Sequence, residues 1–254
     1  MEYKLLCLML AGSLGLEGQA AGIRIPVAQG QDSRSNLKLS PTAPAGQLTI
    51  RIYDYAELHP KQLARTRQVA SRLLAAAGID VRWEQCRTSD KDQNQDASCT
   101  QRAGANVIQL RIHPSKMSKK LTSRSVEFGY SIPLEDGFGI IAGVYLERTS
   151  RTAKSLGLGL HVMLGHTIAH EIGHLLLGTN SHAKTGVMRP TWGDRDVRLA
   201  NTGRLGFTEA QARQMQDQVA RRITSVKNRA RTRSEPTTGL AQSPSQTDNP
   251  LDIK

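Results

Sequence analysis

From Leu156 to Gly178 the chain is almost entirely apolar and small residues, yet it sets His161, His166, His170, Glu171 and His174 among them. A run this apolar must be buried, and its length fits a helix better than a strand. The pattern predicts a helix over roughly 159–177, stopped by Gly178. Two imidazoles and a carboxylate on a buried helix are costly without a task or a partner. His170 and His174 are four apart, so both rings fall on one helix face, about a turn apart. Their neutral nitrogens can then share one metal ion. Glu171 projects beside such an ion, where it can take a proton from water and hand it to a leaving group. Zinc suits the donor set, because it favours tetrahedral nitrogen ligation, has no redox chemistry and lowers the pKa of bound water.

A catalytic site needs a third ligand. His182 follows closely, and a short loop brings it to the helix end at little entropic cost. Glu209, Asp194 and Asp196 are alternative carboxylate ligands, and Asp194 is also a candidate hydrogen-bond partner of a ligand. His166, four before His170, is expected to pack or hydrogen-bond and not to ligate. Gly173 is expected to permit close packing on a neighbour. His59, His113 and His161 are read as surface or loop histidines without a metal role.

Upstream, Leu48, Ile50 and Ile52 alternate with polar residues as in a half-buried strand. Pro60 opens a helix carrying Leu63, Ala70, Leu73 and Leu74, which Gly78 stops. Ile79, Val81 and Trp83 read as a second strand, 107–112 as a third, 128–132 as a short piece and 140–146 as another. The first two strands flank a helix, which permits parallel pairing. The stretch 179–206 reads as irregular. Thr208 with Gln211 is a capping-box pair for a last helix carrying Ala212, Met215, Val219 and Ile223. Beyond about Thr224 the chain turns polar and reads as a disordered tail.

Residues 1–20 read as a signal peptide: Lys4, an apolar stretch over 5–16, and small residues at Gly18 and Ala20. The apolar stretch is too short for a stable membrane anchor. Residues 21–46 read as a flexible leader. Cys86 and Cys99 bracket a polar loop, and a disulfide between them fits an exported, secreted or periplasmic protein.

The stretch His170-Glu171-Ile172-Gly173-His174-Leu175-Leu176-Leu177-Gly178-Thr179-Asn180-Ser181-His182, followed by Gly186-Val187-Met188, resembles the metzincin clan of zinc peptidases. That clan carries His-Glu-x-x-His-x-x-Gly-x-x-His and then a methionine in a tight turn beneath the metal. The resemblance implies His170, His174 and His182 as zinc ligands, Glu171 as general base, Gly178 as the turning residue and Met188 as the turn methionine. Here the glycine stands one residue later and the third histidine two residues later than in the clan motif. Arg189 and Pro190 follow Met188, where some members place a tyrosine. The resemblance also implies an α+β fold: a mixed twisted sheet with packed helices, an active-site helix and a C-terminal helix, within a domain spanning 47–223. In the clan an edge strand pairs with extended peptide, and 140–146, with Gly139 and Gly143, is expected to be either that strand or an ordinary core strand.

The expected function is a secreted zinc metalloendopeptidase acting on peptide or protein. Two alternatives stand beside it: a zinc-holding extracellular binding module, and a zinc amidase acting on cell-wall material. Glu171 favours hydrolysis, since binding alone needs no base there. The net charge of +12 attracts anionic partners. Arg221, Arg222, Lys227, Arg229, Arg231 and Arg233 form a basic cluster at the root of the tail. It is read as solvated charge and as a candidate contact for an anionic surface. No nucleic acid partner is expected.

Overall fold

A computed structural model of the chain describes residues 3–4, 6–8, 47–88, 97–114, 127–132, 134, 138–178 and 180–234. The expected leader, most of the expected signal peptide and the end of the expected tail lie outside these residues. The architecture is α+β. A central sheet is made by β1 (Gln47–Asp54), β2 (Asp80–Cys86), β3 (Val107–His113), β4 (Glu127–Ile132) and β5 (Ile141–Tyr145). Its strand order is β4-β5-β3-β1-β2, and all neighbours are parallel except β4 with β5. Among the described residues five α-helices accompany it: α1 (Pro60–Ala76), α2 (Leu146–Ser155), α3 (Leu160–Leu177), α4 (Asp194–Asn201) and α5 (Glu209–Ser234).

Alternation in the strands separates two sheet faces. Leu48, Ile50 and Ile52 of β1, Ile108, Leu110 and Ile112 of β3, and Ala142 and Val144 of β5 are fully buried. They form one core with Leu63, Ala70, Leu73 and Leu74 of α1 and with Leu164, Ile168, Ile172 and Leu175 of α3. Polar residues at the intervening positions find partners on the other face. Arg51 Nε donates to Glu84 Oε2 at 2.9 Å and its NH1 to the Gln101 carbonyl at 2.7 Å.

The strand expected to receive substrate, 140–146, is internal: β5 lies between β3 and β4. A Cβ on Gly143 would collide with the Tyr130 ring, so that glycine makes room for a side chain of the neighbouring strand. Of these five strands the antiparallel β4 is the last on that side. Leu6–Leu8 runs parallel beside β4, and Tyr3–Lys4 pairs with Thr191–Trp192. Both short pieces fall in the expected signal peptide, so its removal leaves β4 as the sheet edge.

Several local readings are realised. Pro60 opens α1, with His59 Nδ1 accepting from the Lys61 amide. The Thr208 amide donates to Gln211 Oε1, and the Gln211 amide donates to Thr208 Oγ1. Cys86 and Cys99 form a disulfide with a Cα–Cα separation of 5.7 Å, which points to an oxidising compartment. Among the described residues no helix is long and apolar enough to cross a membrane.

Other features also differ from the sequence reading, which does not expect α2 (Leu146–Ser155). The stretch expected to be irregular contains α4, and α5 runs on to Ser234, past Thr224. Arg222, read as solvated charge, is 0% exposed. Its NH1 donates to the Ala105 carbonyl at 2.8 Å, and its NH2 to the Gly139 and Leu175 carbonyls at 2.9 Å each. The end of a helix leaves carbonyls without intrahelical donors. For α3 the Gly178 amide serves His174, Arg222 serves Leu175, and Gln214 Nε2 serves Leu177 at 3.1 Å. The last helix therefore caps the helix that carries the motif.

Candidate metal centre

His170 and His174 sit on α3 with both rings fully buried, and their Nε2 atoms are 3.0 Å apart. Gly178 ends the helix with φ +86° and ψ −169°, a backbone conformation open to glycine and strained for other residues. The chain then folds back, and His182 arrives over the helix end. Its ring centroid is 5.4 Å from that of His170 and 4.8 Å from that of His174. One donor nitrogen from each of the three lies within 4.8 Å of the others. A tetrahedral ion about 2.0–2.1 Å from each nitrogen needs donors roughly 3.4 Å apart, so modest ring rotations suffice. The helix continues to Leu177, and the loop beyond Gly178 returns His182 to the side of His170 and His174.

The outer hydrogen bonds orient the rings. His170 Nδ1 donates to the Val187 carbonyl at 2.8 Å, and His174 Nδ1 is 2.8 Å from Ser181 Oγ. The carbonyl can only accept, so His170 turns an Nε2 lone pair inward; the Ser181 hydroxyl orients the His174 ring and can accept from its Nδ1 when Nε2 ligates. His182 Nε2 is buried with no hydrogen-bond partner among the described residues, as suits an atom that donates to a metal. Burial is the main cause holding all three imidazoles neutral. It brings His170 to about 4 and, with the neighbouring His170 and His182, His174 to about 2. His182 is lowered as well, by burial. Neutral imidazole is the ligating form. The donor set therefore fits a metal ion.

Beneath the cluster runs a turn. The Arg189 amide donates to the Gly186 carbonyl at 3.1 Å, and the Val187 amide to the Gly206 carbonyl at 2.9 Å. Gly186 has φ +79°, and a Cβ there would stand 2.5 Å from the Gly206 carbonyl oxygen. Met188 is fully buried, and a Cβ on Gly173 would lie 2.5 Å from its Sδ and 3.0 Å from Phe207 Cε1. The close packing expected at Gly173 is thus against the turn methionine.

Glu171 is 1% exposed. A Cβ on Gly129 of β4 would stand 2.6 Å from its Oε1, so the carboxylate rests against bare backbone of the outer strand. Neither Gly129 nor Ser181 is marked by any spacing rule; a glycine inside a strand is the one available hint.

The other candidates fall elsewhere. Asp196 accepts from Arg189 NH1 at 2.7 Å and from the Gly193 amide at 2.9 Å. Asp194 is exposed, and Glu209 lies 3.6 Å from Arg213. None of these carboxylates joins the histidine cluster. His166 also stays outside it, edge-on to Trp192 with ring centroids 5.4 Å apart. His113, read as a surface histidine, is buried. Its ring stacks between Tyr55 and Tyr130, and its Nε2 is 3.0 Å from the Tyr130 hydroxyl.

No family model matches the chain, and a search of curated proteins returns no significant match.

Proposed function

We propose that the protein is an exported zinc-dependent metallopeptidase of metzincin-like architecture. The observation that carries the reading is the convergence of His170, His174 and His182 beside buried Glu171, above a turn holding Met188. The sheet order supports it too, because removal of residues 1–20 would leave an antiparallel strand at the sheet edge beside the motif helix. The disulfide supports export.

Zinc bound by the three imidazoles would polarise a scissile carbonyl and acidify a water molecule. The chain supplies the rest. Glu171 takes the proton from the attacking water on its carboxylate and delivers it to the leaving nitrogen as the C–N bond breaks. The Val187 carbonyl holds His170 in its ligating tautomer, and Ser181 Oγ orients the His174 ring. The β4 edge offers backbone amides and carbonyls to an extended peptide, replacing the 140–146 strand in that role.

The test compares mature protein with Glu171→Gln and His182→Ala, scoring bound zinc and cleavage of a mixed peptide library. Glu171→Gln is expected to keep zinc and to lose roughly 10²–10⁴-fold in rate. His182→Ala is expected to lose both. Zinc-loaded protein that cleaves no peptide, or is unchanged by Glu171→Gln, sinks the reading.

A further inference from the structure

The base Glu171 and the strand that is to receive peptide meet at Gly129. The carboxylate is 1% exposed. A Cβ added to Gly129 would lie 2.6 Å from its Oε1 and 2.8 Å from its Cγ, so only a hydrogen atom fits between the base and the strand. Glu171 therefore rests on backbone, and its carboxylate lies where that backbone lies.

Gly129 also stands at a boundary in the sheet. Among the described residues, pairing of β4 with β5 begins at Gly129 opposite Val144 and continues to Ile132 opposite Ile141. Beyond that boundary β5 gives way to α2 at Leu146. The same added Cβ would lie 2.6 Å from the Gly143 carbonyl oxygen, so the two backbones approach closely here. Phe128, on one side of Gly129, is buried in the core. On the other side the Tyr130 ring covers Gly143, and its hydroxyl is 3.0 Å from His113 Nε2. These rings tie β4 to the body of the protein. Its outer side is held by whatever strand pairs there. Leu6–Leu8 meets β4 over this stretch, with Cys7 opposite Gly129. A peptide that takes this place after residues 1–20 are removed bonds to the backbone on which Glu171 rests.

The consequence falls on the chemical step. A general base must lie within hydrogen-bond reach of the proton it takes, and a misplacement of about 1 Å can cost about 10²-fold in rate. Pairing along β4 fixes the wall behind Glu171, so energy from peptide residues distant from the scissile bond lowers the barrier and does not only tighten binding.

We propose that Gly129 is a positioning residue that couples strand addition on β4 to the general base. The substrates are then extended peptides, whose residues along β4 raise kcat. This inference rests on the peptidase reading above.

The experiment takes a peptide that the zinc-loaded mature protein cleaves in the mixed library and shortens it one residue at a time from each end. At the end that lies on β4, loss of the residue opposite Gly129 is expected to lower kcat about tenfold or more with KM little changed, as truncated substrates do when distant contacts act in the transition state. Gly129→Ala is expected to keep its bound zinc, to lower kcat on the longest peptide by a similar factor and to level the dependence on length. Glu171→Asp is one methylene shorter and leaves room for the added methyl. Gly129→Ala in that background should therefore cost little more than Glu171→Asp alone, so the two losses do not multiply. Should Gly129→Ala fail to fold, the length series on wild type decides alone. A kcat that stays constant while KM rises as the peptide shortens would overturn the coupling and leave the peptidase reading intact, and so would losses that multiply in the double variant. Zinc-loaded protein that cleaves nothing in the library would sink the peptidase reading and this inference with it.

Discussion

Replacing Arg222 by methionine isolates the polar part of its role, because methionine keeps most of the length and apolar stem. The substitution removes donors to the carbonyls of Ala105, Gly139 and Leu175. A hydrogen bond to a charged group contributes about 1.5–3 kcal/mol, and each buried carbonyl left unsatisfied costs about 1–3 kcal/mol. Three such groups exceed 4 kcal/mol before relaxation. The substitution also removes a buried guanidinium and with it that group's desolvation cost, which offsets part of the loss. The expected loss is about 4 kcal/mol, or roughly 8–16 °C in Tm for a domain of this size. Arg222→Lys keeps the charge but not the fork that reaches three carbonyls, and should lose about half as much. Urea unfolding followed by circular dichroism measures both. Amide exchange should also rise in the last turn of α3, where Leu175 loses its donor close to His174. A loss under about 1 kcal/mol for Arg222→Met, with exchange in that turn unchanged, would refute the claim that this side chain ties α5 to the sheet and the motif helix.

Ser181→Ala removes the partner of His174 Nδ1 and should weaken metal affinity about 10–100-fold, read by competition with a chelator. Gly173→Ala places a methyl against Met188 and Phe207; thermal unfolding should show a loss of about 1–3 kcal/mol. Replacing Cys86 and Cys99 together by serine opens a closed loop with a sequence separation of 13, with an expected loss of about 3 kcal/mol in denaturant. His113 is lowered to about 4, by burial first and then by Arg111. The unfolded chain therefore binds a proton that the folded one refuses, and stability falls as pH drops from about 6.5 towards 4. In His113→Phe the stability difference between pH 7 and pH 5 should shrink by about 1 kcal/mol, after allowance for screening. An unchanged difference would show that His113 does not titrate in this way.

Much of this was legible in the residues because the signals were local. The period-2 pattern of Leu48, Ile50 and Ile52, the Pro60 and Gly78 ends of α1, and the Thr208–Gln211 box each need only a few neighbours. So did His170, Glu171 and His174, and the short loop to His182. What escaped depended on distant packing or on weak patterns. The α2 helix buries only Thr149 and Ala153, and α4 only Asp196 and Ala200, so neither shows an apolar stripe. Which strand takes the edge depends on pairing order, and β4 follows β3 in the chain yet lies beyond β5. Arg222 sits in a run of basic residues, and only the fold reveals that its position faces three carbonyls.

The three imidazoles all fall between His170 and His182, whereas β1 meets its partners across a helix and a long connection. Closing the ligand loop therefore restricts far less chain than closing the sheet. A chain whose strands have not yet paired already carries the complete donor set at high local concentration. Metal present during folding can thus act as an early template for α3 and the turn that follows, so the order in which metal and denaturant are removed should govern refolding yield.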